Sequence, residues 1–241
     1  MTAPRSIPPN PARRQLLGLG ATAAGLTLLA CRGSAAPEGA KSANQSREHQ
    51  GQKEAEVTPG EDLMQEHGVL ERVLVIYDAA ALRIERNVQL DPSIITKAAG
   101  VVRHFVEDYH ERTEEQFVFP RLQAAGREVA LVTILLRQHE RGRQLTDEIV
   151  RQASAGASPE LAQVLRSFGH MYLAHASRED TVVFPAFRSI VTGAEYEELG
   201  EQFEDREHQL LGEHGFEAAV AEVAGLEAQL GIADLAGFTP P

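Results

Sequence analysis

From residue 58 onward, apolar side chains recur at the spacing of a helix that buries one face. The clearest stretch is Leu161, Leu165, Phe168, Tyr172, His175, Glu179 and Val182, at intervals of 4, 3, 4, 3, 4 and 3. Three helix starts are marked by a capping residue followed by proline: Thr58-Pro59, Asp91-Pro92 and Ser158-Pro159. Thr58 with Glu61 also fits a capping box. Gly126 and Gly156 punctuate the other junctions. The pattern predicts helices at about 59–87, 93–124, 127–153 and 159–191, and a fifth at about 195–229. Short connections make neighbours antiparallel. The expected fold is therefore all-α: an up-down-up-down four-helix bundle with an additional C-terminal helix.

Two members of the fourth stripe, His175 and Glu179, do not belong in an apolar seam unless they are paired or bound to a cation. The second helix repeats them. His110-Glu111-Arg112-Thr113-Glu114 and His175-Ala176-Ser177-Arg178-Glu179 each place a carboxylate four residues after an imidazole, and Val-Phe-Pro follows both at the same offset. Residues four apart share a helix face. The first and third helices add one histidine each: His67, in phase with Leu63, Leu70, Leu74 and Tyr77, and His139, four after Leu135. A sequence of His, His+Glu, His, His+Glu over four helices makes a pocket for two metal ions, with carboxylates able to bridge and two imidazoles for each ion.

Composition narrows the chemistry. The single cysteine, Cys31, excludes an intrachain disulfide, a Cys-rich zinc module and a four-Cys cluster, so any metal must sit on histidine and carboxylate. Aromatic residues are 5% of the chain and Trp is absent, which disfavours a large enclosed aromatic pocket. A net charge of −12 repels nucleic-acid backbones, and no nucleic acid is expected as partner. No nucleophile or acid–base pair stands apart from the ligand set. A metal-binding protein is thus expected ahead of an enzyme acting on organic substrates.

With those motifs in place, residues 60–190 resemble a hemerythrin-type domain, the HHE cation-binding family, whose hallmark is His-x-x-x-Glu closed by Phe-Pro. The resemblance implies a non-haem di-iron centre held by His67, His110, Glu114, His139, His175 and Glu179; manganese or zinc would suit the same ligands. It makes the implied small ligand dioxygen, nitric oxide or peroxide. Two departures stand out. Oxygen carriers of the family have a second histidine four residues after that of the third helix, where this chain has Arg143. They also use His-x-x-x-x-Asp on the last helix, which makes Asp180 the alternative to Glu179. Binding of a diatomic, turnover of nitric oxide or peroxide, and simple iron binding or storage all remain open. Val106, Phe117, Leu135 and Phe168 are expected as apolar walls. Glu111 and Glu115 are expected to be solvated or to back the ligands, and Tyr172 to be core or to bond into the site. His49, His104, His170, His208 and His214 fall off the ligand face.

The front of the chain carries a different signal. Residues 1–31 contain Arg5, Arg13 and Arg14, no acidic residue, and an uncharged stretch after Arg14 too short to span a membrane. This order reads as an export signal, and the adjacent arginines resemble a twin-arginine one. Leu28-Leu29-Ala30-Cys31 resembles a lipobox, implying cleavage before Cys31 and lipidation of its thiol. Residues 32–57, without Phe, Tyr or Trp, read as a flexible linker. The expected order is signal (1–31), linker (32–57), hemerythrin-like bundle (58–193) and C-terminal extension (194–241). The mature domain would then be exported and tethered to a membrane through Cys31.

Overall fold

The computed structural model describes residues 57–240. Cys31, the signal, nearly all of the linker and His49 lie outside the described residues. Helix α1 spans Pro59–Glu85, and its start is the expected capping box: Thr58 accepts from the Glu61 N–H, and the Glu61 carboxylate accepts from the Thr58 N–H. Helix α2 runs over 92–124, opened by Asp91 bonded to the Ser93 N–H. Helix α3 is Val129–Ala155, starting two residues later than expected because Gly126 and Glu128 both adopt left-handed backbone. Helix α4 runs over 159–190, capped by Ser158 on the Leu161 N–H.

Cross-helix pairs fix the topology. Arg166 of α4 meets Asp78 and Glu85 of α1, while Asp180 meets His67, so these two helices run antiparallel. Arg103–Asp147 and Arg143–Glu111 orient α2 against α3 in the same way, and His139–His175 with the Gly142–Tyr172 approach does so for α3 and α4. The expected up-down-up-down bundle is what these pairs describe.

The predicted fifth helix is two. Helix α5, Gly193–Leu211, opens on Thr192 bonded to the Glu195 N–H, and helix α6 covers Gly215–Leu230. The break falls at Gly212, whose φ of 87° suits a residue without Cβ. The Glu207 carboxylate reaches across the turn to accept from the Phe216 N–H at 2.7 Å, satisfying an amide at the start of α6. Both helices pack on the α1–α2 side. Arg72 of α1 forks onto Glu227 at 2.9 and 2.6 Å, and Tyr196 Oη accepts from the Gly60 N–H. Among the described residues no helix is long and apolar enough to cross a membrane.

The ligand helices are not α-helical throughout. Helix α2 is π-helical at Val102–His110 and Glu114–Val118, and α4 at Glu179–Val183. The shorter stretches have a local cause. Pro120 and Pro185 lack an N–H, and in an α-helix their rings would press on the carbonyl four residues back. The chain widens instead, with the Phe119 and Phe184 N–H groups donating five residues back, to Glu114 and Glu179. Such wide turns are frequent where helices carry functional groups.

Two apolar clusters fill the bundle. One holds Val73, Ile76, Tyr77, Phe105, Ile149 and Phe168 among others; the second holds Leu63, Val118, Phe119, Leu135, Val183 and Phe187. Along every bundle helix the chain passes from one cluster to the other through the residues singled out above. Leu63 and Val69 flank His67; Tyr109 and Val118 flank His110 and Glu114. Leu135 and Leu145 flank His139, and Tyr172 and Val183 flank His175 and Glu179. The candidate site is a polar layer between two dry ones.

Candidate metal centre

All six side chains expected from the sequence converge in that layer, between 0 and 3% exposed. They form two overlapping groups, each with ligand atoms within 4.8 Å of one another: His67, His110, Glu114 and Glu179, and His139, His175, Glu114 and Glu179. Both carboxylates are shared. The imidazoles face inward as pairs, His110 Nε2 at 3.1 Å from His67 Nε2 and His139 Nε2 at 3.1 Å from His175 Nε2. Glu179 Oε2 lies 3.0 Å from His175 Nε2 and 3.3 Å from His67 Nε2; Glu114 Oε2 lies 3.5 Å from His139 Nε2 and 3.7 Å from His110 Nε2.

The outward nitrogens are all engaged. His67 Nδ1 meets Asp180 at 2.7 Å, His110 Nδ1 meets Glu66 at 2.7 Å, His139 Nδ1 meets Glu115 at 3.0 Å, and His175 Nδ1 meets the amide oxygen of Gln138 at 3.0 Å. These oxygens accept, so each Nδ1 donates and a neutral ring turns its Nε2 lone pair inward. Meanwhile neither oxygen of Glu114 or Glu179 has a hydrogen-bond donor. Facing lone pairs and four unbonded carboxylate oxygens in a buried layer repel one another unless cations lie among them. The donor set therefore fits a pair of metal ions. Two buried carboxylates, four imidazoles and no cysteine among the ligands suit iron, manganese or zinc.

Without cations the layer is electrostatically uneasy. Burial, and then Glu179, push Glu114 well above the usual carboxylate range. Burial also pushes Glu179 upward, but His175 and His67 outweigh it and hold it low. Burial disfavours a charged His67, yet Asp180 and Glu179 raise it to about 9; burial takes His139 down to about 4 against the pull of Glu115. Burial sets the direction at Glu114 and His139, whereas the charged partners set it at Glu179 and His67.

Asp180 is not an inward-facing alternative to Glu179: it is 30% exposed and backs His67 from outside, while Glu179 faces the centre. Arg143 does more than fill the place of a histidine. Its guanidinium bonds Glu111 at 2.8 Å and Glu115 at 2.6 Å. Glu111 is buried rather than solvated; it accepts from Tyr172 Oη at 2.6 Å, and burial raises it to about 8. Glu115 goes the other way, to about 2: burial opposes ionisation, but His139 and Arg143 overcome it. Tyr172 is thus both core and part of the site's surroundings, its ring 5.5 Å from that of His175. Gly142 makes room for it, since a Cβ there would overlap the Tyr172 hydroxyl.

Val106, Leu135 and Phe168 are buried as expected, whereas Phe117 turns outward to pack on Phe203 of α5. Besides Tyr172, the aromatic rings against the ligands are Phe184 on His67 at 5.5 Å and Phe119 on His139 at 5.6 Å, both from the Val-Phe-Pro closures. Sequence reasoning missed Glu66 and Gln138. Each immediately precedes a ligand histidine, and that shared place, in Glu66-His67 and Gln138-His139, was the available signal. His104 and His170 are exposed, as the helical phase requires, and His208 and His214 sit on α5 and at the start of α6.

A buried layer of paired imidazoles and shared carboxylates inside an antiparallel four-helix bundle defines a class of metal-binding helical proteins. The hemerythrin HHE cation binding domain matches residues 58–187 and again 131–231. The chain belongs to that family. The second match begins inside α3, as a repeated His, His+Glu pattern permits. Uncharacterized proteins Mb2018 of Mycobacterium bovis and Rv1995 of Mycobacterium tuberculosis are each 42% identical over 248 residues, covering 100% of this chain and 96% of theirs. No solved structure matches it.

Proposed function

We propose that this chain is a non-haem di-iron protein that binds or senses dioxygen or another small diatomic. His67 and His110 would hold one iron and His139 and His175 the other, with Glu114 and Glu179 available to both. The observation that carries this reading is the set of four inward Nε2 atoms around four carboxylate oxygens that lack any donor. A reduced iron pair supplies the electrons and coordination positions that small oxidising gases need. The chain's own part is to keep the rings oriented through Asp180, Glu66, Glu115 and Gln138, and to keep water out with Phe119, Phe184 and the two apolar clusters. A second reading, a redox enzyme consuming nitric oxide or peroxide, is favoured by Arg143 standing where oxygen carriers of the family have another histidine.

The sequence of residues 1–31 supports export, with Arg13-Arg14 suiting a route for already folded, metal-loaded protein and Cys31 suiting a lipid tether at the membrane surface. The test is to isolate the full chain anaerobically, measure iron per chain, and follow the visible spectrum as oxygen is admitted and withdrawn. About two irons with a reversible colour change are expected. Irreversible oxidation with steady consumption of peroxide or nitric oxide would replace binding by turnover, and absence of bound metal would overturn both.

A further inference from the structure

The six ligands obey a two-fold pattern, and so do most of their supports. Glu115 and Asp180, each one residue after a central glutamate, back the lone histidines; the residues before those histidines, Glu66 and Gln138, back the paired ones. At one of these four places the chemistry changes: Gln138 offers an amide where Glu66 offers a carboxylate. The two rings around the first position, His67 and His110, thus both donate to carboxylates, at 2.7 Å each. Around the second position, His139 donates to a carboxylate that also takes a bond from Arg143 at 2.6 Å, and His175 donates to a neutral amide.

A carboxylate on Nδ1–H shifts electron density towards Nε2 and makes the ring a stronger donor, and changing such a partner typically alters metal affinity by about 10–100-fold. An amide orients the ring without adding charge. A guanidinium on the carboxylate draws its charge away. Glu114 and Glu179 are common to both positions, so they cannot compensate.

Resting on the metal-centre reading above, we infer that the two positions bind unequally: the one between His67 and His110 fills first and holds its ion, and the one between His139 and His175 is the weaker, exchangeable position. Gln138 is the positioning residue that sets the difference.

The test is titration of the metal-free full chain with manganese(II), followed by calorimetry and by the electron paramagnetic resonance of the bound ion. Two steps about tenfold or more apart are expected, the first an isolated ion and the second a coupled pair. His175→Ala should keep the tight step and His110→Ala should lose it. Gln138→Glu should strengthen the second step about tenfold, and Glu66→Gln should weaken the first towards it, with circular dichroism confirming that each variant is folded. Two indistinguishable equivalents, or loss of the tight step in His175→Ala, would overturn the inference and leave the metal centre standing. No manganese bound by the unmodified chain would overturn both.

Discussion

Segments 110–120 and 175–185 are alike at their ligands and differ in part of what stands behind them. Both present an imidazole and a carboxylate to the centre, both widen before a proline, and both send a phenylalanine onto the histidine of another helix. Yet Glu111 in the first has Ala176 as its counterpart in the second, and Arg143 on α3 corresponds to the exposed Glu71 on α1. The Tyr172–Glu111–Arg143 chain therefore exists on one side of the layer with no equivalent at the matching positions of the other. The inward-facing donors are duplicated, and what surrounds them is duplicated only in part. The donor set selects the kind of metal, while its surroundings can differ between two groups that share the same carboxylates.

The comparison can be erased first at the shared groups. Glu179→Ala removes a carboxylate common to both groups, so on the proposed di-iron reading metal content should fall from about two ions per chain towards none, and the melting temperature of the metal-loaded protein should drop to that of the stripped one, read by elemental analysis and calorimetry. His175→Ala should lose one half and keep the other. Gly142→Ala should act on the second side alone: its methyl group must displace the Tyr172 hydroxyl, an overpacking that costs about 1–3 kcal/mol, measured by chemical denaturation. Tyr172→Phe keeps the packing and removes a single donor from buried Glu111, a smaller cost of about 1–2 kcal/mol by the same measurement. His104→Ala should change neither metal content nor stability, because its side chain is 75% exposed. A large loss of metal in that variant would break the two-sided description altogether.

The bundle was legible because its signals are local. Proline-marked caps at 58, 91 and 158 and a 4-3 stripe through Leu161 and Phe168 each need only a few neighbouring residues to be read. The ligands were legible for a second reason: His-x-x-x-Glu repeats, and charged residues in an apolar stripe stand out. The break at Gly212 was less visible. Glycine occurs at 20 places in the chain, and only the reach of Glu207 over the turn, a contact across nine positions, marks this one as a break. Glu66, Gln138 and Arg143 share that difficulty, since each acts on a residue of another helix. Asp180 shows the same limit from the opposite side. Spacing alone places it near the site, and only the packing of α1 against α4 sends it behind His67 while Glu179 turns inward.

The widened turns make length itself a property of this protein. A π turn holds a residue more than an α turn, so Glu179–Val183 and Glu114–Val118 are, in effect, insertions absorbed without a loop. Winding either stretch as a regular α-helix with its residue count unchanged would turn that extra residue into rotation. Everything beyond would swing by about 100°. Phe184 and Phe187, now inside, would be carried off their apolar face, and the ring that covers His67 would go with them. Side chains can be exchanged one at a time in such a helix, but the widening between the last ligand and the proline cannot be wound out at fixed length without moving the wall of the site.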